Sequence, residues 1–262
     1  MIINLEKISG LPLALDSDTC KFILGKDLNE PSYRVRMLHD LDAVWANPVP
    51  DFDRIIYQYT SGLWLAEDEG VWKKANVIYG MVVFVPGIFA GEYNKSSGQY
   101  HPIIPPNTMA SPEVYSVLHG TGHFLLQKSI PPYETIQDAV LVEVQAGESF
   151  IIPPDYGHLQ INPGNEPLIF SYAAMDGMQG VYEPFRKTQG AIYYEIADNM
   201  ESKRYVFNSH YKEQVSLRFI KAGEICQMPF LNEKVTYQKI RDNLGQLEFL
   251  TNPEKYPEHA GL

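Results

Sequence analysis

Gln99-Tyr100-His101, the carboxylate of Glu113 and the run Gly147 … Pro153 … His158 … Asn162 constrain this chain more than any other feature. Together they set two imidazoles and a carboxylate on strand-like stretches bounded by glycine and proline turns. A small β-barrel needs that arrangement to hold one divalent metal in its mouth. Imidazole nitrogen and carboxylate oxygen suit Fe(II), Mn, Ni or Zn. Three protein ligands with positions left open describe a catalytic site better than a closed structural one. Gln99 either adds a weaker, neutral amide oxygen or leaves that position to water or substrate. Taken singly, His101 and His158 read as ordinary polar residues near turns; the combined spacing points to a metal.

The middle of the chain reads as strands cut by turns. Tyr79 to Val85 is a continuous apolar run stopped by Pro86-Gly87, and Val114 to Gln127 is apolar and β-branched around Gly120-Thr121-Gly122, a predicted hairpin. Val140 to Val144, Ser149 to Ile152 and Leu168 to Tyr172 follow, with Asn162-Pro163-Gly164-Asn165 as a turn. Short strands at regular spacing predict an antiparallel barrel or sandwich. Ile103 to Pro112, carrying Pro105, Pro106 and Asn107, cannot continue a strand and reads as a loop, either a lid over the barrel mouth or a surface elaboration. Arg34 to Leu38 reads as a short helix or irregular wrap. Tyr205 to Phe207 and Val215 to Ile220 read as strands, Val235 to Asn243 as helical and Asn252 to Pro257 as extended. With no internal repeat or linker, the chain is expected to be a single domain over 1–262, its barrel core at about 50–195 and a C-terminal extension at about 196–262.

At 262 residues, 45% hydrophobic and 20% charged, the chain can bury a sizeable core. Its net charge of -11 supplies no basic field for nucleic acid or an anionic membrane, though it leaves room for a small anion held by local donors. No apolar run reaches the length of a membrane span, and Met1 to Lys7 lacks the basic-then-apolar plan of a signal peptide. Cys20 and Cys226 have no metal-binding spacing, so a reduced cytoplasmic protein is expected.

The intervals themselves resemble the two motifs of the cupin barrel. Six residues separate Glu113 from Gly120, five separate Gly147 from Pro153, four separate Pro153 from His158 and three separate His158 from Asn162. The chain departs from the cupin pattern at Gln99, which stands where a first His belongs, in the long interval from His101 to Glu113, and at Asp155, which replaces an inner Gly. More closely, Pro86 to His101, Glu113-Val114-Tyr115, Gly120 to Gln127, Ile152 to His158 and Asn162 to Pro167 resemble the cupin-type glucose-6-phosphate isomerases, as does Arg34 to Leu41. The resemblance covers roughly residues 30 to 195. It implies a mainly β, double-stranded β-helix (jelly-roll) barrel with N-terminal and C-terminal extensions, in a homodimeric cytoplasmic enzyme that interconverts glucose 6-phosphate and fructose 6-phosphate with one divalent metal, Fe2+ foremost. It further implies that His101, Glu113 and His158 are metal ligands, with Gln99 at a fourth ligand's position. Ser96 matches a phosphate-binding Thr, with Gly98 offering a backbone N–H beside it, and Tyr59, Tyr172 and Tyr182 fall where the family places tyrosines around substrate. Val82 stands where a second phosphate-binding Thr is expected.

The chemistry of the residues agrees with that family. Phosphate takes hydroxyl and N–H donors plus positive charge, which Lys95-Ser96-Ser97-Gly98 can supply. Glu113 is the candidate for both metal binding and proton transfer between C1 and C2; a hydride shift assisted by metal and Tyr115 is the competing route. Two other function classes stay open: a metal-dependent cupin dioxygenase, and a non-catalytic sugar-phosphate-binding cupin whose site decayed at Gln99.

Overall fold

The computed structural model describes residues 1–198, 202–225, 228–231 and 237–259, so Cys226 lies outside the described residues. At the N-terminus β1 (Ile2–Asn4), helix α1 (Glu6–Ser9), β2 (Leu13–Asp16) and β3 (Lys21–Leu24) build a small antiparallel sheet. The chain continues through β4 (Ser32–Met37), β5 (Ile55–Ser61), helix α2 (Glu69–Ala75), β6 (Val77–Phe84), β7 (Ile88–Phe89) and β8 (Glu92–Lys95). After a loop come β9 (Glu113–His119), β10 (Thr121–Lys128), β11 (Asp138–Gln145), β12 (Ser149–Ile152), β13 (Tyr156–Asn162) and β14 (Leu168–Met175). The remainder holds helix α3 (Glu183–Lys187), β15 (Tyr193–Asp198), β16 (Ser202–Phe207), β17 (Leu217–Lys221), and helices α4 (Ala222–Ile225) and α5 (Tyr237–Asp242).

Two sheets form the barrel expected from the strand spacing. One runs β12-β9-β14-β6-β5-β4; the other runs β16-β15-β8-β13-β10-β11-β17, with β7 added beside β8. Pairing is antiparallel except for β11 with β17. The fold is mainly β, two sheets facing one another with helices and a small N-terminal sheet added around them. The turn at Gly120 is not a hairpin, because β9 and β10 belong to different sheets. Gly120 takes φ 78°, and a side chain there would meet the Pro167 carbonyl at 2.9 Å, so a glycine turns the chain from one sheet to the other.

Other local expectations are corrected. Arg34 to Met37 is not helical but part of edge strand β4, paired with β5, and a 3-10 helix follows at Leu38–Val44. The segment after Asn252 is not extended; it forms 3-10 turns at Pro253–Lys255 and Pro257–His259. Helix α5 covers most of the helical stretch expected over 235–243, whose first two residues lie outside the described residues.

The six-stranded sheet is buried on both faces, which accounts for the unbroken apolar run in β6. Tyr79, Met81 and Val83 face outward with Val114 and Leu118 of β9 and Ile169 of β14, against Trp72, Tyr237, Leu247, Phe249 and Leu250. On the inner face Tyr57, Phe84, Tyr115, Phe150 and Phe170 pack with Phe124 from the sheet across the barrel. Period-two alternation thus gives one sheet two cores, and residues 237–250 complete the outer one. There the Trp72 indole N–H donates to the Tyr237 hydroxyl at 2.8 Å, which donates to Asp68 at 2.8 Å. Leu247 is fully buried in this outer core. Leu247→Ala is therefore expected to cost about 2–5 kcal/mol, as a large-to-small core change does; urea unfolding followed by Trp fluorescence checks it, and a loss under 1 kcal/mol would place this segment outside the cooperative core.

Candidate metal centre and cavity

Strand alternation sends Glu113 and Tyr115 of β9 to the barrel interior, and His158 and Gln160 share one face of β13. Gln99 pairs with His158 through two backbone hydrogen bonds, of 3.0 and 2.9 Å, which brings the stretch carrying His101 beside β13. His101, Glu113 and His158 converge: each offers a ligand atom, and these atoms lie within 4.8 Å of one another. The three residues are 4%, 5% and 0% exposed. Glu113 Oε2 is 3.2 Å from His101 Nε2 and 3.5 Å from His158 Nε2.

Hydrogen bonds behind the rings fix which nitrogen faces inward. His101 Nδ1 lies 2.7 Å from the Ser111 carbonyl, and His158 Nδ1 lies 3.3 Å from the Tyr156 carbonyl. A carbonyl only accepts, so each Nδ1 carries the proton and each Nε2 presents a lone pair. Burial, then the neighbouring His101, pushes the His158 pKa down to about 3, which keeps its ring neutral. Three lone-pair donors then face one another in a buried site, and His101 Nε2 has no hydrogen-bond partner. This donor set fits a divalent cation of the Fe, Mn, Ni or Zn kind. The Gln99 amide lies 3.5 Å from His158 Nε2, adjacent to the three.

Two backbone details explain the second motif. Asp155 takes φ 66°, the left-handed conformation that an inner Gly would supply and that Asp tolerates. A side chain at Gly157 would collide with the Tyr100 ring at 2.4 Å, so only Gly lets β13 pass that ring.

A cavity of about 690 Å³ opens beside these ligands, and Gln99, Glu113 and Tyr115 line it. Tyr59, Tyr172, Tyr182, Val82, Ser96, Ser97 and Gly98 line it as well. Lys95 does not, and its assignment to phosphate is corrected. It is 3% exposed, pairs with the Glu92 carboxylate and donates to the Val44 carbonyl at 2.8 Å, between the rings of Trp45 and Tyr194. Those partners hold the buried ammonium, which is costly to desolvate, away from the cavity. The Gly98 N–H is likewise engaged, pointing at Ser96 Oγ at 3.3 Å. No residue from 102–112 lines the cavity.

The sequence reading missed the cationic side of the cavity. Arg34 and Arg36 stand opposite Tyr59 and Tyr57 on β5, on the face turned to the cavity, and Arg34 lines it. The Arg36 charge is felt by Tyr57, Tyr59 and Tyr182, three tyrosines of the cavity wall, so positive charge reaches the cavity from another strand. The alternation Arg34-Val35-Arg36 was the available signal. Gln160 was missed too; two residues beyond His158, it donates to the Tyr115 hydroxyl at 2.8 Å.

His158→Ala and Glu113→Ala are each expected to abolish retention of a divalent metal, measured by metal analysis after desalting. A fully metallated His158→Ala protein would remove that residue from the ligand set.

Comparison with known proteins follows the same lines. Residues 35–212 match the family model of glucose-6-phosphate isomerase (GPI). Over 142 residues the chain is 30% identical to the glucose-6-phosphate isomerase of Thermococcus litoralis, covering 52% of this chain and 66% of that one. The corresponding enzyme of Pyrococcus furiosus is 27% identical over the same shares of each chain. The chain thus spans just under two thirds of the length of these relatives. Among solved structures, oxalate oxidase in complex with glycolate is 21% identical over 37% of this chain and 41% of that one, at a TM-score of 0.28, too low to bear on function. With the isomerase model matched over more than half its length, the chain belongs to the glucose-6-phosphate isomerase (GPI) family.

Proposed function

We propose that this chain is a metal-dependent aldose–ketose isomerase that interconverts glucose 6-phosphate and fructose 6-phosphate. The observation that carries this reading is one juxtaposition: a buried His–Glu–His set beside a cavity whose far strands bring hydroxyls and two arginines. A phosphosugar has the matching polarity, with oxygens at C1 and C2 for the ligand set and a phosphate for the cationic side. Family membership supports the same reaction.

A divalent ion held by His101, Glu113 and His158, with Gln99 at hand, would supply Lewis-acid polarisation of the sugar oxygens; Fe2+ is the proposed ion, ahead of Mn2+, Ni2+ and Zn2+. Burial and the charge of Glu113 hold the Tyr115 pKa far above its usual range, so Tyr115 is a neutral phenol. Its oxygen accepts from Gln160, and its O–H donates to Glu113 Oε2 at 3.1 Å. That bond fixes the carboxylate that moves the proton between C1 and C2. Ser96, Ser97 and Gly98 form the wall where phosphate docks, with Arg34 and Arg36 in place of Lys95. Tyr59, Tyr172 and Tyr182 enclose the carbon chain. We further read residues 1–262 as one folding unit, and the protein as a cytoplasmic homodimer, as the family resemblance implies. Among the described residues no helix is long and apolar enough to cross a membrane.

Protein stripped with chelator should lose turnover of fructose 6-phosphate in a coupled assay and regain it with Fe(II) foremost, consuming no oxygen. Stoichiometric metal binding with phosphosugar binding but no turnover would instead favour the non-catalytic binder. Arg34→Ala is expected to raise KM roughly ten-fold with kcat nearly unchanged, as loss of one charge-assisted hydrogen bond does; an unchanged KM would place phosphate elsewhere.

A further inference from the structure

Residues 244–259 lie wholly outside the stretch that matches the family, yet one of their carboxylates reaches the loop that orients a metal ligand. Glu254 Oε1 accepts from the backbone N–H of Thr108, from the Thr108 hydroxyl at 3.2 Å and from the Met109 N–H at 3.2 Å. Beside it, the Asn107 side-chain amide donates to the Thr251 carbonyl at 3.0 Å. Two residues beyond Met109 is Ser111, whose carbonyl accepts from His101 Nδ1 at 2.7 Å. The intervening Ala110 N–H points to the Asp155 carboxylate at 3.3 Å.

The strap has a firm base. Leu247, Phe249 and Leu250 are fully buried in the outer core. Glu248 then ties the following turns together: its carboxylate accepts from Lys255 at 2.7 Å and from Tyr256 at 2.9 Å, and its carbonyl accepts the Asn252 N–H at 2.9 Å. Glu254 therefore projects from anchored chain onto a loop that has no regular structure of its own.

We propose that Glu254 is a positioning residue for the metal centre. By fixing the loop at Thr108 and Met109, it holds the Ser111 carbonyl where that carbonyl sets the tautomer and angle of His101, and so raises the affinity for a divalent ion. The C-terminal extension, whose role the sequence leaves open, thereby becomes part of the machinery that supports the site. The physical reason is the steep dependence of a ligating imidazole on the group behind it: losing such a partner typically weakens metal binding by about 10- to 100-fold.

The inference rests on the metal reading of His101, Glu113 and His158, and the test separates the two. Metal-free wild type, Glu254→Ala and Glu254→Gln are titrated with Co2+ against a competing chelator, and the visible bands of bound Co2+ are recorded. Glu254→Ala is expected to bind about ten-fold or more weakly with shifted bands. Glu254→Gln keeps an accepting oxygen and should stay within about three-fold of wild type with unshifted bands. Wild-type affinity and bands in Glu254→Ala would overturn the strap alone. Equal losses in both variants would assign the effect to charge and overturn it as a positioning contact. Failure of the wild type to bind Co2+ would overturn the metal reading and the strap with it.

Discussion

Three acceptors, His101 Nε2, His158 Nε2 and Glu113 Oε2, face one another inside the barrel, and much of the fold is arranged to keep them there. Left alone in a buried site, lone pairs at such distances repel. They are held by groups that cannot yield easily: the Ser111 and Tyr156 carbonyls behind the two rings, and the Tyr115 hydroxyl on the carboxylate. Each of those is backed in turn, Tyr115 by Gln160 and the Ser111 loop by residues of the C-terminal segment. Orientation of these three groups is set by their neighbours as much as by the groups themselves.

The six-stranded sheet makes this possible by being buried on both sides. Its inner face supplies Glu113 and Tyr115 together with Tyr57, Tyr59 and Tyr172 around the cavity. Its outer face is closed by α2, α5 and the turns after Asn243. An exposed outer face would leave Tyr79, Met81 and Ile169 in water; the terminal additions bury them. The additions outside the matched family region therefore complete a hydrophobic core first, and carry Glu254 to the loop as a consequence of where that core lies.

Charge is distributed in a way that residue order alone conceals. Lys95 sits next to Ser96 in sequence, but Lys95 ends β8 with its side chain buried away from the cavity, and only Ser96, just past the strand, lines it. Lys95 meets Glu92, Trp45 and Tyr194 instead. The cationic groups that do face the cavity, Arg34 and Arg36, come from an edge strand some sixty residues upstream of the turn they serve.

What the sequence by itself determined is what local spacing can encode. The periodicity and turn residues specified a β-barrel, and the spacing of the second motif together with His101 and Glu113 marked candidate ligands, which the structure brings together from two different sheets. Asp155 in place of Gly was visible as a departure, and its left-handed backbone explains why Asp can stand there. Only the tertiary structure decided the rest. That β9 and β10 part into different sheets, that Arg34 lies on a strand facing Tyr59, that Lys95 turns away, and that Glu254 grips the loop before Ser111 all depend on pairings between distant segments. Such pairings are chosen by the burial of whole faces and the satisfaction of buried charge, quantities that exist only once the chain has closed on itself.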